Sequence, residues 1–521
     1  MAKSNKDKRI REKFNIRIAG VFRVGLVALI VLFQVLFLVA LSWSMSEYST
    51  LFYILLEIFS LVVIIFLVND DKNLSYKLAW VCIILVLPFS GHLLYFLWGN
   101  RSTKTKELTT TMKMINNGFK HADNDPQALI DFSLMHKDIL KLSNYMSVEH
   151  FPLYKNNIVN YYGMGEQTFA AMFKDFKRAK KFILIDFFIV ANGRLWNEMH
   201  DILLNKINEG VKVMFMYDDF GAAFRTSSHF EEELKQEGFQ VRVFNPVHKY
   251  TGKLYMNYRS HQKIVVVDGN IGYTGGMNIA DEYANYINRF GVWKDNALRI
   301  EGDGVWGLTV TFLQMWDACS GIPTKNYDYY RPDGNFIPNY VFTHVISDGP
   351  ANNPENPIEN IYKMMISSAT KYCYITTPYL IIEDDMRTFL DIAVKSGIDV
   401  RIITPAIPDK KTVKLLTNYN YGPLLRSGVR IYEYSPGFIH AKTIVTDKSA
   451  IVGTINMDYR SFYLHYECGL WVCSDRIVGD IRNDFLSTLK ECHEITYEEW
   501  KNRPLILKIY QSIMNPFQTL V

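Results

Sequence analysis

The chain of 521 residues is 49% apolar and 21% charged, with a formal net charge of +4. That length implies about two to four domain-sized units rather than one core, and the small net charge, without a long basic run beyond the N-terminal tail, leaves nucleic-acid binding unsupported. The cysteines, Cys82, Cys319, Cys373, Cys468, Cys473 and Cys492, show no CxxC pairing, which fits buried thiols in a reducing compartment rather than a disulfide framework.

Residues 1–100 read as a membrane region. The uncharged run 24–41 and the run 51–68, whose one charge is Glu57, predict spans over about 22–43 and 51–68, long enough for a hydrocarbon layer of ~30 Å. The first run is longer than the ~7–15 residues of a signal-peptide core, and a second span follows it. Lys3, Lys6, Lys8, Arg9, Arg11, Lys13, Arg17 and Arg23 precede the first span, whereas the loop SWSMSEYST has no basic residue, so the N-terminus is expected in the cytoplasm. Trp43, Tyr48 and Tyr53 suit the outer interface, and Glu57 reads as a protonated or hydrated carboxyl near it. A third apolar stretch, 78–98, is interrupted by Pro88, Ser90 and Gly91, carries His92 and has basic residues on both sides. It is expected to be a broken, re-entrant or interfacial hairpin, with a third span as the alternative and the following chain cytoplasmic.

Residues 101–155 are polar and predict a helical linker. Beyond them one order of elements is written twice, over 156–335 and 336–521. In the first half AKKFILIDFFI, VKVMFMYDD and VRVFNP alternate with helical segments closed by Gly210 and Gly238; in the second ATKYCYITTPYL, IDVRIITPA and VRIYEY alternate with segments closed by Gly397 and Gly428. Such alternation predicts an α/β fold, two sandwiches of mixed, largely parallel sheet flanked by helices. The offset between corresponding positions shrinks from 190 (Ala179 to Ala369) to 179 (His261 to His440), as diverged copies with unequal loops would give. Segments such as TTPYLI and RSFYLHYE read as core strands rather than an apolar entrance.

Each copy then carries the same polar set. His261, Lys263 and Asp268 are followed by Gly275, Gly276 and Asn278; His440, Lys442 and Asp447 by Gly453, Thr454 and Asn456. On a strand, His261 and Lys263 share a face and Asp268 lies opposite, so the two aspartates are expected to be structural. Docking the halves would join two imidazoles and two ammonium groups in one cleft. Two lysines and two turn-borne asparagines suit a multiply charged phosphoryl oxyanion. Of the histidines, one would attack phosphorus while the other acts as general acid and base. Asp295 and Glu467, which begin strand-like runs downstream of the two motifs, are candidates to orient the imidazoles. A metal or other cofactor is not expected, because no HExxH or Cys/His cluster occurs and a lysine accompanies each histidine. A serine-triad reading lacks a GxSxG elbow.

The two motifs match the paired HxKxxxxD signature of the phospholipase D superfamily over roughly residues 160–500. With HLLYFLWGN, GGMNIADEY and NMDYRSF, the chain resembles bacterial cardiolipin synthases. The resemblance implies a multi-pass cell-membrane enzyme with its catalytic part in the cytoplasm. It would transfer a phosphatidyl group between two phosphatidylglycerol molecules, giving cardiolipin and glycerol. It makes His261, Lys263 and Asp268 one half of the catalytic set and His440, Lys442 and Asp447 the other, with His261 as the nucleophile. Two departures stand out. Gly276 occupies a position where the superfamily often has serine, and the second copy has one residue fewer between Asp447 and Gly453, which leaves the placement of Asn456 open. A phospholipase D or phosphatidylserine synthase-like enzyme, with water or serine as acceptor, is the nearest alternative.

Overall fold

The computed structural model of the chain describes residues 29, 32, 34, 36, 47–99, 106–223, 225–246, 258–352 and 355–520. The chain divides into a smaller unit, 1–104 with 247–256 and 506–521, and a larger one, 105–246 with 257–505.

In the smaller unit the predicted span 22–43 lies, apart from Leu29, Leu32, Gln34 and Leu36, outside the described residues. The helix Glu47–Val68 includes a stretch, Thr50–Val68, long and apolar enough to cross a membrane and only 18% buried. Glu57 is exposed on it. The third apolar stretch is broken, because the helix Leu74–Val86 stops short of Pro88 and a short helix, Ser90–Leu94, restarts beyond it. At 13 residues the Leu74–Val86 helix is ~20 Å long, less than a hydrocarbon layer. Asn73 caps its start by accepting from the backbone N–H groups of Ser75 and Tyr76. Val63, Leu67, Trp80, Ile84, Leu94 and Tyr95 form the core of this unit. The helix Leu505–Met514 and the turn Asn515–Leu520 also belong to it from Ile506 onward, rather than to the second repeat.

The larger unit contains both repeats. The strands of the first are Leu153–Tyr154 (β1), Asn157–Tyr162 (β2), Phe182–Phe187 (β3), Lys212–Asp218 (β4), Gln240–Phe244 (β5), Arg259–Ser260 (β6), Lys263–Val267 (β7), Ile271–Gly275 (β8), Val292–Lys294 (β9) and Ala297–Gly302 (β10). Those of the second are Phe342–Asp348 (β11), Tyr372–Thr376 (β12), Leu380–Ile381 (β13), Asp399–Pro405 (β14), Arg430–Tyr434 (β15), Gly437–Ile439 (β16), Thr443–Thr446 (β17), Ala450–Gly453 (β18), Met457–Asp458 (β19), His465–Cys473 (β20) and Cys492–Ile495 (β21). One sheet runs β2-β10-β8-β7-β3-β4-β5, the other β1-β11-β20-β18-β17-β12-β14-β15-β21.

These sheets are mixed but not largely parallel. β3-β4-β5 and β12-β14-β15 are joined in parallel, across the helices Arg194–Asn208 and Asp384–Lys395 and their successors, and the two-residue β6 joins β20 in parallel; the other joints within the two sheets are antiparallel among the described residues. The motif strands turn straight back as hairpins, β7 into β8 and β17 into β18, which crossover helices cannot do. Gly210 and Gly397, at φ +89° and +86°, close the equivalent helices Arg194–Asn208 and Asp384–Lys395 in the left-handed region.

Both faces of the motif strands are buried, which is why they read as unbroken apolar runs. One face of each sheet meets a shared core: Leu184, Ile264, Val266 and Leu298 from the first, Val445, Val452, Leu470 and Val472 from the second. The outer faces are covered by helices, Gly165–Phe176 and Arg194–Asn208 against Ile183 and Val265, and Pro357–Ser368 and Asp384–Lys395 against Ile375 and Ile444. RSFYLHYE is a short helix, Tyr459–Tyr463, followed by β20, rather than one strand.

The stretch expected as a linker is, over 106–148, three helices packed on the larger unit. Gln314 donates to the Ile115 carbonyl at 2.9 Å and the Trp306 indole to His121 at 2.7 Å. Phe132 is fully buried, edge-on to Phe342 at 5.1 Å and Trp471 at 6.0 Å. Phe132→Ala is therefore expected to destabilise the larger unit by about 3–5 kcal/mol, read as a lowered chemical-denaturation midpoint in detergent. A passive linker would give almost no change.

Candidate active site

Each motif histidine sits just beyond a short strand that pairs with the other repeat. The two-residue β6 pairs with β20 of the second repeat, and the backbone N–H of His261 donates to the Tyr466 carbonyl at 2.8 Å. Reciprocally, β16 pairs with β9 of the first repeat, and the His440 N–H donates to the Lys294 carbonyl at 2.7 Å. Only after His261 and His440 does the chain enter its own sheet, as β7 and β17.

This crossing decides which carboxylate meets which imidazole. The residue after Tyr466 is Glu467, and the residue after Lys294 is Asp295. Nδ1 of His261 donates to Glu467, 3.0 Å from each oxygen, and Nδ1 of His440 donates to Asp295 at 2.7 Å. Both carboxylates are fully buried. Each candidate downstream of one motif thus serves the histidine of the other. With Nδ1–H engaged, Nε2 is the ring nitrogen left with a lone pair.

The lysines lie beside them, almost fully buried. The Lys263 ammonium donates to the His261 carbonyl at 2.5 Å, and Lys442 likewise donates to the His440 carbonyl. Burial lowers the Lys263 ammonium to about 8, although Glu467 pulls it upward. Burial brings Lys442 to about 7 against the pull of Asp295, with Lys263 adding to the fall. His261 is held well below its ordinary value by burial and by Lys263 and Lys442. His440 falls to about 4 through burial and Lys442, while Asp295 draws it back up. For Asp295 burial acts upward, but His440 and Lys442 outweigh it and the carboxyl is lowered.

The aspartates of the motifs lie at the far end of their strands, seven residues and on the order of 20 Å from the histidines along the chain. Asp268 accepts from the backbone N–H groups of Lys180, Lys181 and Phe182 at 2.7–3.0 Å. Asp447 accepts from Thr370 and Lys371 in the equivalent place. They pin the end of the motif strand to the start of its neighbour, at the opposite end of that strand from the imidazoles.

The two asparagines are held differently. Asn278 accepts from the Ile189 N–H and donates to the Tyr283 hydroxyl, both at 2.9 Å, so its amide is spent on holding two loops together. Asn456 is buried, and its Oδ1 has no hydrogen-bond partner among the described residues. The missing residue in the second copy falls in the hairpin turn, and the register absorbs it. Continuing the pairing, Gly275 stands opposite Lys263 and Gly453 opposite Lys442, so Asn278 and Asn456 keep the same offset.

The glycine departure has a steric cause. A Cβ at Gly276 would collide with Asp295 Oδ1 and lie 3.1 Å from the His440 carbonyl oxygen. At the matching position Thr454 donates its hydroxyl to the longer Glu467, which also accepts from Ser461 Oγ at 2.7 Å. Glycine goes with the shorter acid and threonine with the longer one.

Sequence reasoning missed His465. Its ring lies 5.5 Å from that of His261 and its Nδ1 3.8 Å from Glu467, and burial lowers it to about 4. A histidine two residues before a candidate carboxylate on one strand, hence on the same face, was the available signal. His261, His465 and Glu467 place ligand atoms within 4.8 Å of one another. The Glu467 bond to His261 and the neighbouring Lys263 and Lys442 make this a hydrogen-bonded pair better than a cation site. Aromatic rings wall both imidazoles: Phe188 at 5.2 Å from His261, and Tyr283 and Trp293 at 5.3 and 5.6 Å from His440.

Paired histidine–lysine half-sites on two matched α/β sandwiches define a phospholipase D-like domain. A family model described as cardiolipin synthase, PLD-like domain, matches residues 172–296 and 362–489, and one described as phospholipase D-nuclease N-terminal matches 58–100. A cardiolipin synthase 2 of Bacillus anthracis is 33% identical over 85% of this chain and 86% of its own. An uncharacterised protein of Streptococcus mutans is 37% identical over 86% of this chain and 96% of its own. A phosphatidylserine synthase of Haemophilus influenzae shares the fold, with a TM-score of 0.57 at 14% identity, over 73% of this chain and 100% of that one. The chain belongs to the cardiolipin synthase family of phospholipase D-like proteins.

If the carboxylates orient the imidazoles, Asp295→Asn and Glu467→Gln should each lower kcat on the order of a thousandfold or more in a folded protein. Gly276→Ala should displace Asp295 and lower kcat by about 10–100-fold, whereas Thr454→Ser, which keeps the hydroxyl, should be nearly silent. Unchanged kcat in Gly276→Ala would refute the steric account.

Proposed function

We propose that the protein is a cardiolipin synthase, joining two phosphatidylglycerol molecules with release of glycerol. The observation that carries this reading is the reciprocal pair of buried histidine–carboxylate dyads, each with its lysine. The His261 Nε2 lone pair attacks phosphorus of the donor lipid, forming a P–N bond as the P–O bond to the glycerol headgroup breaks. His440, protonated at Nε2, gives its proton to the departing glycerol oxygen. The imidazole then takes the hydroxyl proton of the second phosphatidylglycerol, whose oxygen attacks phosphorus and frees His261. Lys263 and Lys442 balance the negative charge that builds on the phosphoryl oxygens.

The charges around the two imidazoles support this assignment of roles. His261 is held in its neutral form by burial and by Lys263 and Lys442, while Asp295 draws His440 back toward the protonated form against burial and Lys442. The helix Glu47–Val68 and the broken segment 74–99 are read as a membrane anchor, with Leu74–Val86 entering without crossing and the larger unit on the cytoplasmic side. Donor and acceptor lipids then share one leaflet, which raises their effective concentration.

Purified protein supplied with labelled phosphatidylglycerol should give cardiolipin and glycerol in equal amounts, and His261→Ala and His440→Ala should give neither. Phosphatidic acid without cardiolipin would sink the synthase reading in favour of a phospholipase D. Acid-quenching the unsubstituted protein during turnover should trap phosphatidyl label on His261, and label on any other residue would reverse or overturn the roles.

Anion binding should also move protons. A phosphate dianion favours the charged forms of Lys442, Lys263 and His440, whose proton affinities are depressed to about 7, 8 and 4 in the free site. Inorganic phosphate binding at pH 8 should therefore be accompanied by uptake of about one proton, measured by calorimetry in buffers of different ionisation enthalpy. Proton release would contradict the charge scheme.

A further inference from the structure

The helix Leu505–Met514 is amphipathic in the inverted sense. A helix of a water-soluble body turns its apolar stripe inward, yet here Leu505, Ile506, Ile509, Tyr510 and Ile513 are 70%, 75%, 47%, 42% and 61% exposed, and the fully buried residue is Gln511. Residues 506, 509, 510 and 513 follow the i, i+3, i+4, i+7 spacing of one helix face, so the exposure is a continuous stripe rather than scattered side chains. Lys508 is the one charge between 505 and 520, and it lies off that stripe.

What covers the stripe is indicated by its surroundings. From Ile506 the segment belongs to the same unit as the helix Glu47–Val68, and the turn Asn515–Leu520 packs on the helix Leu74–Val86. That helix likewise turns Leu74, Leu78, Leu85 and Val86 outward, and Ile58, Leu61, Ile65 and Phe66 are exposed on Glu47–Val68. Apolar exposure shared by three helices of one unit, with polar Gln511 turned inside, is the pattern of segments solvated by acyl chains. We propose that Leu505–Met514 is embedded in the apolar layer of the bilayer, making the segment that follows the second repeat a membrane contact separate in sequence from the N-terminal one. This rests on the membrane reading of Glu47–Val68.

The test is thiol alkylation by a membrane-impermeant maleimide present on both sides of phosphatidylcholine vesicles, read peptide by peptide by mass spectrometry so that native cysteines are resolved. Cysteines placed by Ile506→Cys, Ile509→Cys and Ile513→Cys should react at least roughly tenfold more slowly than one at exposed Lys395, because a thiol in apolar surroundings stays protonated. Phe66→Cys on Glu47–Val68 should be protected to a similar degree. Protection at 66 with full reaction at 506, 509 and 513 would overturn this proposal and leave the membrane reading standing. Full reaction at 66 as well would overturn both. Protection at 509 that disappears when the protein is diluted in lipid, with bismaleimide-crosslinked dimers before dilution, would assign the stripe to a second copy and also overturn the proposal.

Discussion

The site depends on a reciprocal strand exchange. Before each motif histidine enters its own sheet, the chain pairs with the opposite repeat, β6 on β20 and β16 on β9, and the histidine N–H closes the pairing. The same backbone contact that fixes His261 beside Tyr466 brings the next residue, Glu467, to its imidazole; the same contact at Lys294 brings Asp295 to His440. Position and proton-bearing partner are therefore set by one interaction. Neither repeat alone holds a complete dyad, so the two sandwiches must be docked before either histidine is oriented.

That arrangement imposes a charge constraint. Glu467 and Asp295 are fully buried, as are nearly all of Lys263 and Lys442, and buried charges persist only when paired. Two carboxylates against two ammonium groups come near to neutrality while both imidazoles are neutral, in keeping with their lowered proton affinity. Protonating one histidine leaves the site short of a negative charge, and a phosphodiester anion supplies it. The site without substrate resists the protonated state that catalysis needs, and the substrate itself removes that resistance.

The repeat, its α/β class and the residues of the two half-sites were legible because spacing survives divergence: His, Lys and Asp recur at identical intervals, and strand alternation alone put Asp268 on the wrong face for chemistry. Sheet direction was not read correctly, although the sequence held a signal for it. Asp268-Gly269, both at positive φ between apolar runs, marks a hairpin, and the antiparallel β7-β8 joint follows from it. The pairing of Asp295 and Glu467 with the opposite histidines could not be read from local pattern, since it arises from contacts between residues more than 140 positions apart. The helices 106–148 looked like a linker because their buried residues, among them Phe132 and Met146, are few in each turn. The outward apolar face of Leu505–Met514 has the periodicity of an ordinary core helix, and only burial distinguishes the two.

The departures from repeat symmetry form a consistent set. Gly276 leaves room for Asp295, whereas Thr454 holds Glu467 with Ser461 as a second donor. A carboxylate with three side-chain donors has less negative charge to offer its histidine than one held by His440 and a single backbone N–H, that of Asn296. Behind Lys263 the first repeat also carries Asp186 on β3, a position that the strand registers align with Thr376 in the second. Burial lowers Lys263, and among the acids that draw it back up Glu467 acts most and Asp186 least; burial holds the Asp186 carboxyl itself well above the ordinary carboxylate range, against the pull of Lys263. Lys263 disfavours a proton on His261, while the Asp295 carboxylate draws His440 toward the protonated form. The two copies of one half-site thus differ by a methylene in the acid, by the residue that packs on it and by one buried aspartate, so that the same fold surrounds its two imidazoles with unequal sets of donors and charges.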